Sequence, residues 1–487
     1  MQGNRSAGGS AVRSGFLTGV ATAAVSGAAG VAGAILSRKF GHGATTDGFF
    51  AAYAVYLALL LVASSLRVVV LPDLARAQQV GGLPRELGSW AAALAVPLGP
   101  ALAVGILAPH AVAGLLTDSP EARRSATELL PWLALAAAAQ VYAGVAASAL
   151  AARDDYTTAA AGYVAGAVAG VAAIGALVGH GVAAFGWGLA LNGIVSLAIP
   201  LVALIRLRAV GRPLAGGARR LRSLGAGVAV PFALQGLYIV GYRFASGLGT
   251  GKPTTFSYAY LISSLLVAVT ATSIALISSV PLARVELSPE RSARHIVSAT
   301  WVSLALVAGA AGVFALAGRR VARIGLGSSY GGETGAELGR LVAYFAPWMI
   351  ASIALSVAFP LLFVRGRAGW LPLLAAGGLG VHVLAEWIGR SAFGLAGVVA
   401  AMAVSTFAIL AVLLWALGSL AATSRGILLA AATCGGLAVL LYGAPALVLG
   451  ALPAAGVGLV LYAGAIALWR PRGLVEAWSY LRRLHDG

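Results

Sequence analysis

Charged residues are scarce in this chain. Asp, Glu, Lys and Arg make up only 10% of its 487 residues, and 60% are hydrophobic, whereas a soluble domain carries about a quarter charged residues. A chain this apolar could not cover a surface that faces water. Cysteine is almost absent as well: Cys434 is alone, which excludes an intrachain disulfide. The composition therefore indicates a protein that is solvated mainly by lipid.

Acidic and histidine side chains are also few, with 15 Asp and Glu and 6 His. The sequence has no zinc-ligand spacing and no Ser/His/Asp set. Residues 249–254 resemble a phosphate-binding loop, but Ser246 stands where that loop has its first glycine and Pro253 follows Lys252. We therefore expect no enzyme activity, no cofactor, no metal ion and no ATP site.

Long apolar runs recur along most of the chain. A helix of about 20 apolar residues crosses roughly 30 Å of hydrocarbon, and about fourteen such runs can be placed between residues 15 and 469. Because the bilayer core offers no water to backbone groups, each run should be a helix. The pattern predicts an all-α polytopic membrane protein with about fourteen transmembrane helices.

Basic residues dominate the remaining charge and give a formal net charge of +18. They lie in short connectors between the apolar runs, which is typical of the positive-inside rule rather than of nucleic-acid binding. When the N-terminus is placed in the cytoplasm, most basic residues fall in cytoplasmic connectors. We expect a multi-pass protein with both termini in the cytoplasm and with no nucleic-acid partner.

The longest basic connector, residues 206–222, divides the chain into two parts. We interpret residues 211–223 as a cytoplasmic linker between two lobes of six helices each. The predicted organisation is an N-lobe over 1–210, a C-lobe over 224–420, and a region over 421–487 that holds the last two helices and a cytoplasmic tail.

An internal repeat supports the division into two lobes. Phe40-Gly41-His42-Gly43 recurs as Leu248-Gly249-Thr250-Gly251, and Leu74-Ala75-Arg76 recurs at the same offset as Leu282-Ala283-Arg284. Because each lobe contains an even number of helices, the two lobes share one orientation in the membrane. We therefore expect a pseudo-twofold axis along the membrane normal.

Residues 40–53, FGHGATTDGFFAAY, resemble the first-loop signature of the MurJ/MviN-like flippases of the multidrug/oligosaccharidyl-lipid/polysaccharide (MOP) exporter superfamily. Residues 70–75, 242–249 and 258–260 resemble the same group. The resemblance implies alternating access and a groove for a lipid tail beside the last two helices. It also implies a location in the bacterial cytoplasmic membrane.

The same resemblance implies a function and partners. The function is to flip a lipid-linked anionic cell-envelope precursor, lipid II or another undecaprenyl-linked glycan. The implied partners are that polyprenyl diphosphate glycan, membrane lipids and cell-wall synthesis proteins.

Four basic residues are candidate contacts for the diphosphate. Arg67 and Arg243 lie within predicted spans, and a guanidinium group binds phosphate oxygens in a bidentate fork. The alternative is that both side chains reach the lipid headgroups. Arg38 and Lys39 precede the first outer loop, where they could equally complement a helix C-terminus. Asp47 follows this loop and is a gating candidate, although an acidic residue also suits a helix N-terminus.

His382 and Glu386 are the candidates for coupling. Their spacing places both side chains on one helical face, and an ionisable pair within a span predicts a proton or cation site. The alternative is a pair at the outer interface beside Trp387.

One departure from the family leaves the function open. The resemblance implies arginines in the first helix, yet residues 26–37 carry no charge. Two alternatives therefore remain: a non-transporting membrane scaffold or pseudo-flippase, and a multidrug/cation antiporter of the same superfamily. The antiporter would need acidic residues inside the N-lobe helices.

Overall fold

The computed structural model describes residues 24–25, 27–205, 216–268, 270, 288–365 and 368–486. Within these ranges every regular element is a helix, so the all-α fold class is confirmed. The chain forms two compact units, Met1–Gly251 and Lys252–Gly487. The predicted lobe division at residues 211–223 stays a prediction, because residues 206–215 lie outside the described part. The last residues of that segment, from Gly217 onward, form the first turns of a helix.

The first unit contains eight α-helices within its described residues. They are α1 (27–40), α2 (Ala44–Gln79), α3 (Leu83–Leu107), α4 (Pro109–Leu116), α5 (Pro120–Ala151), α6 (Tyr156–Leu177), α7 (Ala183–Leu204) and α8 (Gly217–Ser246). Helix α5 is the centre of this unit and packs against α2, α3 and α7. Its alanine-rich second half is almost wholly buried, since small side chains let the surrounding backbones approach closely.

The second unit also contains eight α-helices within its described residues. They are α9 (Lys252–Val267), α10 (Pro289–Leu326), α11 (Glu333–Tyr344), α12 (Ala346–Val364), α13 (Leu371–Ala416), α14 (Leu420–Ala446), α15 (Ala451–Trp469) and α16 (Arg472–Asp486). The long helix α10 packs against α11, α12, α14, α15 and α16. It is therefore the central helix of the second unit.

Length and hydropathy identify the spans. Among the described residues, nine helices are long and apolar enough to cross a membrane, and α11 with α12, bent by 43°, adds a tenth if the pair is one span. Helix α13 has 46 residues, and its backbone leaves the helical region at Gly394 (φ 57°), so it holds two spans. The multi-pass architecture is confirmed. The predicted number of spans, about fourteen, is approximate.

Part of the internal repeat coincides with helix boundaries. Helix α2 begins at Ala44 and α9 begins at Lys252. The number of residues between these two helix starts equals the number between Gly41 and Gly249. Both of these glycines have positive φ angles, 70° and 115°, which only glycine adopts readily. The second copy of Leu74-Ala75-Arg76, residues 282–284, lies outside the described residues.

Candidate functional site

Helix α13 folds back on itself near Gly394. The segments before and after this break, called the first and second legs below, pack closely against each other in antiparallel orientation. A Cβ atom on Gly389 would lie 2.5 Å from the carbonyl oxygen of Gly397, so the two legs touch through their backbones. This close crossing places His382 of the first leg beside Ser405 of the second leg.

The pair His382 and Glu386 is fully buried inside the second unit. His382 Nε2 lies 3.3 Å from Glu386 Oε1, and His382 Nδ1 lies 3.0 Å from Ser405 Oγ. The adjacent Trp387 is exposed on the other side of the helix. The two candidates are therefore brought together, away from the lipid-facing side that the interfacial alternative would use.

In the part of the chain that the structure describes, the hydrogen bonds around this pair are made by His382 and not by Glu386. Ser405 Oγ donates to the carbonyl oxygen of Ala401 at 2.8 Å, so it accepts from His382 Nδ1. Glu386 Oε1 lies within ion-pair distance of His382 Nε2, but neither oxygen of Glu386 makes a hydrogen bond among the described residues. The site therefore places a carboxyl group and an imidazole, two groups that can bind a proton, side by side in a buried position.

Asp47 lies almost completely buried in the first turn of α2. Its Oδ2 accepts a hydrogen bond from the backbone N–H of Gly251 at 2.7 Å, and its backbone carbonyl accepts one from the hydroxyl of Tyr242. These contacts tie the turn between α1 and α2 to the C-terminal end of α8. They fix the loop in this conformation, while the role of Asp47 in gating stays a prediction.

The basic candidates lie in different surroundings. Arg38 and Lys39 are exposed at the C-terminal end of α1, where positive charge complements the helix dipole. Arg67 belongs to α2, but its side chain lies outside the described part of the structure. Their roles in substrate binding therefore stay predictions.

Arg243 forms a bidentate ion pair near the end of α8. Its Nη1 lies 2.8 Å from Asp118 Oδ2, and its Nη2 donates to Asp118 Oδ1 at 2.9 Å. The side chains are 39% and 64% exposed, so water screens the pair. The guanidinium fork that could hold a phosphate holds a carboxylate in this conformation.

Sequence reasoning missed a second ion pair, which is deeply buried. Arg220 Nη2 donates to Glu86 Oε1 at 2.6 Å, and the side chains are only 3% and 1% exposed. The guanidinium carbon also lies 5.6 Å from the ring centroid of Trp90, a cation–π distance. Helices α8 and α3 are thereby joined at one end. Neither local segment carries a signal for this contact, because the partners are 134 residues apart.

An apolar groove of about 330 Å³ opens in the second unit. Helices α10, α12 and α14 line it mainly with small and aliphatic side chains, Ala343 of α11 adds one more, and the lining includes the exposed Val439. Tyr442 is one of the lining residues, and its hydroxyl donates to the carbonyl oxygen of Gly309 at 2.7 Å. A groove of this lining can accept a hydrocarbon chain and offers almost nothing to a polar ligand.

Comparison with solved structures identifies the class of fold, which is that of MOP-superfamily transporters. A structure of the lipid II flippase MurJ in an inward closed conformation superimposes with a TM-score of 0.75 over 93% of this chain and 99% of that one, at 11% identity. An inward-facing multidrug-resistance MATE transporter gives 0.63 over 82% and 95%, at 15% identity.

A MOP-superfamily transporter from Pyrococcus furiosus gives a TM-score of 0.56 over 87% of this chain and 96% of that one, at 15% identity. No protein-family model matches the sequence, and no curated protein matches it. At these identities the comparisons show the fold alone. The chain has the MurJ/MATE-type fold, as its residues 40–53 indicated.

Proposed function

We propose that the protein is a transporter that flips a lipid-linked anionic cell-envelope precursor, lipid II or another undecaprenyl-linked glycan, across the bacterial cytoplasmic membrane. The main support for this proposal is the apolar groove between α10, α12 and α14 in a chain with the MurJ/MATE-type fold. A substrate with a charged head and a long hydrocarbon tail needs two different surfaces, and a small soluble drug needs no groove for a tail.

The groove suits an isoprenoid chain for a physical reason. Gly312, Gly435 and Gly443 are among its lining residues, so the walls lack bulky side chains at several positions. Burying each CH₂ group of a tail there contributes roughly 0.8 kcal/mol relative to water, and little relative to lipid. The groove therefore guides a tail without holding it strongly, which suits a substrate that must be released.

The charged head requires a different path. A diphosphate is poorly tolerated in hydrocarbon, and positive side chains lower that cost. We assign Arg67, Arg243, Arg38 and Lys39 as candidates for this contact, and Asp47 as a candidate for gating. Alternating access, both termini in the cytoplasm, and cell-wall synthesis proteins as partners belong to the same proposal. The protein moves its substrate and does not alter it chemically.

We assign energy coupling to the His382–Glu386 pair. A fully buried imidazole and carboxyl group 3.3 Å apart can bind a proton from one side of the membrane and release it to the other. No ATP site is needed under this scheme.

A second candidate function, a multidrug/cation antiporter, is supported by the buried carboxyl group of Glu386, since such a group can bind a cation. In the described part of the first unit, however, both buried acidic side chains already have partners. Asp47 accepts from the Gly251 N–H, and Glu86 pairs with Arg220. This arrangement favours the flippase.

Depletion of the protein in its host tests the proposal, with identification of the lipid-linked intermediate that accumulates. Purified protein in vesicles should then move a fluorescent polyprenyl diphosphate glycan and leave a cationic dye where it is. Movement of the dye alone would support the antiporter. If no intermediate accumulates and neither probe moves, the chain is a scaffold.

A further inference from the structure

Helix α16 is amphipathic and follows directly on the last span. Only Arg470 and Pro471 separate it from Trp469, the final residue of α15. Three residue steps reach about 11 Å at most, so α16 begins close to where α15 leaves the hydrocarbon. Leu468 and Trp469 are exposed at that end of α15 and therefore contact lipid.

One side of α16 is packed against α10. A Cβ atom on Gly473 would lie 2.4 Å from Trp301, Ala477 is buried, and the ring of Tyr480 lies 6.0 Å from that of His295. These three residues of α16 are spaced by four and three, so they share one face. The helix is thus attached along the N-terminal part of α10.

A second side of α16 presents Val475 and Trp478, and none of the residues that the structure describes covers these two side chains. Val475 and Trp478 are three residues apart, so they are neighbours on the helix surface, and Trp478 is 63% exposed. Tryptophan prefers the boundary between hydrocarbon and water, because its ring is apolar and its N–H can bond to polar groups. Val475 and Trp478 also follow closely in the chain after the exposed Leu468 and Trp469 at the end of α15.

The surroundings of this helix are strongly basic. Arg291 and Arg294 are exposed in the first turns of α10, and Arg472 is exposed in α16. Burial raises the pKa of the Tyr480 hydroxyl, while the positive charges of Arg294 and Arg291 act in the opposite sense, and the ring of Tyr480 lies 6.0 Å from that of His295, the residue next to Arg294. The sequence adds Arg482 and Arg483 in the same helix.

We propose that α16, together with Arg291 and Arg294, is a binding surface for the anionic headgroups of the adjacent leaflet, with Val475 and Trp478 inserted among the lipids. An exposed tryptophan next to several arginines, at the end of a span, is typical of helices that lie in a membrane interface. A basic surface complements anionic lipid, and the exposed apolar stripe complements the acyl-chain boundary. This inference is independent of the transported substrate.

Two labelled positions test the insertion of α16 in the full-length chain. The single native cysteine allows a Cys434→Ala background, in which Trp478→Cys and Glu476→Cys are labelled separately with an environment-sensitive fluorophore. The two positions are exposed but nearly opposite on the helix, at about 100° per residue. In vesicles with a shallow nitroxide-labelled lipid, the label at position 478 should be quenched several-fold more than the label at 476.

The role of charge is tested in vesicles of phosphatidylcholine with and without phosphatidylglycerol. The double variant Arg291→Ala/Arg294→Ala should weaken binding of the anionic lipid by about fivefold for each arginine removed. The matched control is Arg319→Ala/Arg320→Ala, which removes two exposed arginines from the other end of α10 and should leave the quenching of the 478 label unchanged.

Three results would overturn the inference. One is equal quenching at positions 476 and 478. Another is quenching at 478 that does not depend on phosphatidylglycerol. The third is protection of the label at 478 in detergent as well as in vesicles, because another copy of the chain would then cover this face.

Discussion

Arg220 and Glu86 form an ion pair at 2.6 Å that is almost completely shielded from solvent. It joins the first turn of α8 to the first turn of α3 within the first unit. Arg220 Nε has no hydrogen-bonding partner among the described residues, so the guanidinium group depends largely on Glu86 and on the face of Trp90. Loss of Glu86 would leave the buried guanidinium group without its carboxylate, and loss of Arg220 would remove the cation that compensates Glu86 in this buried pair.

We therefore expect Glu86→Ala and Arg220→Ala each to lower the free energy of unfolding by about 3–5 kcal/mol. Thermal unfolding in detergent measures this effect. Arg219→Ala is the control, because Arg219 is exposed beside Arg220 and its loss should change stability by about 0.5 kcal/mol or less. The double variant Glu86→Leu/Arg220→Met should recover most of the loss. Single variants as stable as the parent would show that the pair is not formed.

The role of Arg243 can be separated from that of its partner. If the guanidinium group contacts the substrate diphosphate, Arg243→Ala should slow transport by about tenfold, the equivalent of one charged hydrogen bond. Asp118→Ala removes the carboxylate but keeps Arg243, so transport should be unchanged or faster. Both variants should unfold near the parent temperature, since exposed pairs contribute at most about 1 kcal/mol. Equal losses in both variants would assign the pair a structural role.

The apolar groove offers a matched pair of substitutions. Gly435 lines the groove and Gly436 does not, yet a Cβ atom at either position meets no atom within 4 Å. We expect Gly435→Leu to slow flipping of a polyprenyl-linked substrate by about tenfold, because the added side chain occupies about the volume of one isoprene branch. Gly436→Leu should have no such effect. Vesicle assays with long-chain and short-chain substrates would measure the difference, which should vanish for the shortest tail.

Coupling through the buried pair makes a prediction about pH gradients. Glu386→Gln removes the titratable carboxyl group but keeps the size of the side chain, so transport should no longer respond to an imposed pH gradient. Glu333→Gln, at a fully hydrated position, is the control and should respond as the parent does. The readout is the initial flipping rate in vesicles with and without the gradient. A gradient response that survives in Glu386→Gln would remove the pair from the mechanism.

The helical architecture is predictable from the sequence because each span carries its own signal. A run of about 20 apolar residues is sufficient to identify a crossing. The turn near Gly394 falls between two such runs and is predictable for the same reason. The spacing of His382 and Glu386 likewise predicts that both side chains lie on one face of their helix, since residues four apart are neighbours on a helix surface.

The contacts between distant segments were not predictable. Arg219, Arg220 and Arg222 are indistinguishable in the sequence, yet only Arg220 turns inward to meet Glu86. Which arginine is buried depends on how α8 packs against α3, and no periodicity within α8 encodes that. The pairing of Arg243 with Asp118 depends on tertiary structure for the same reason.

Helix α8 is held at its two ends by polar contacts of opposite character. The Arg220–Glu86 contact is dry, whereas the Arg243–Asp118 contact is wetted by solvent. Mobile ions weaken an attraction only where they can come between the partners. Rising ionic strength would therefore weaken the Arg243–Asp118 pair and leave the Arg220–Glu86 pair intact, while the buried hydrogen bond from the Tyr242 hydroxyl to Asp47 still holds the C-terminal end of α8.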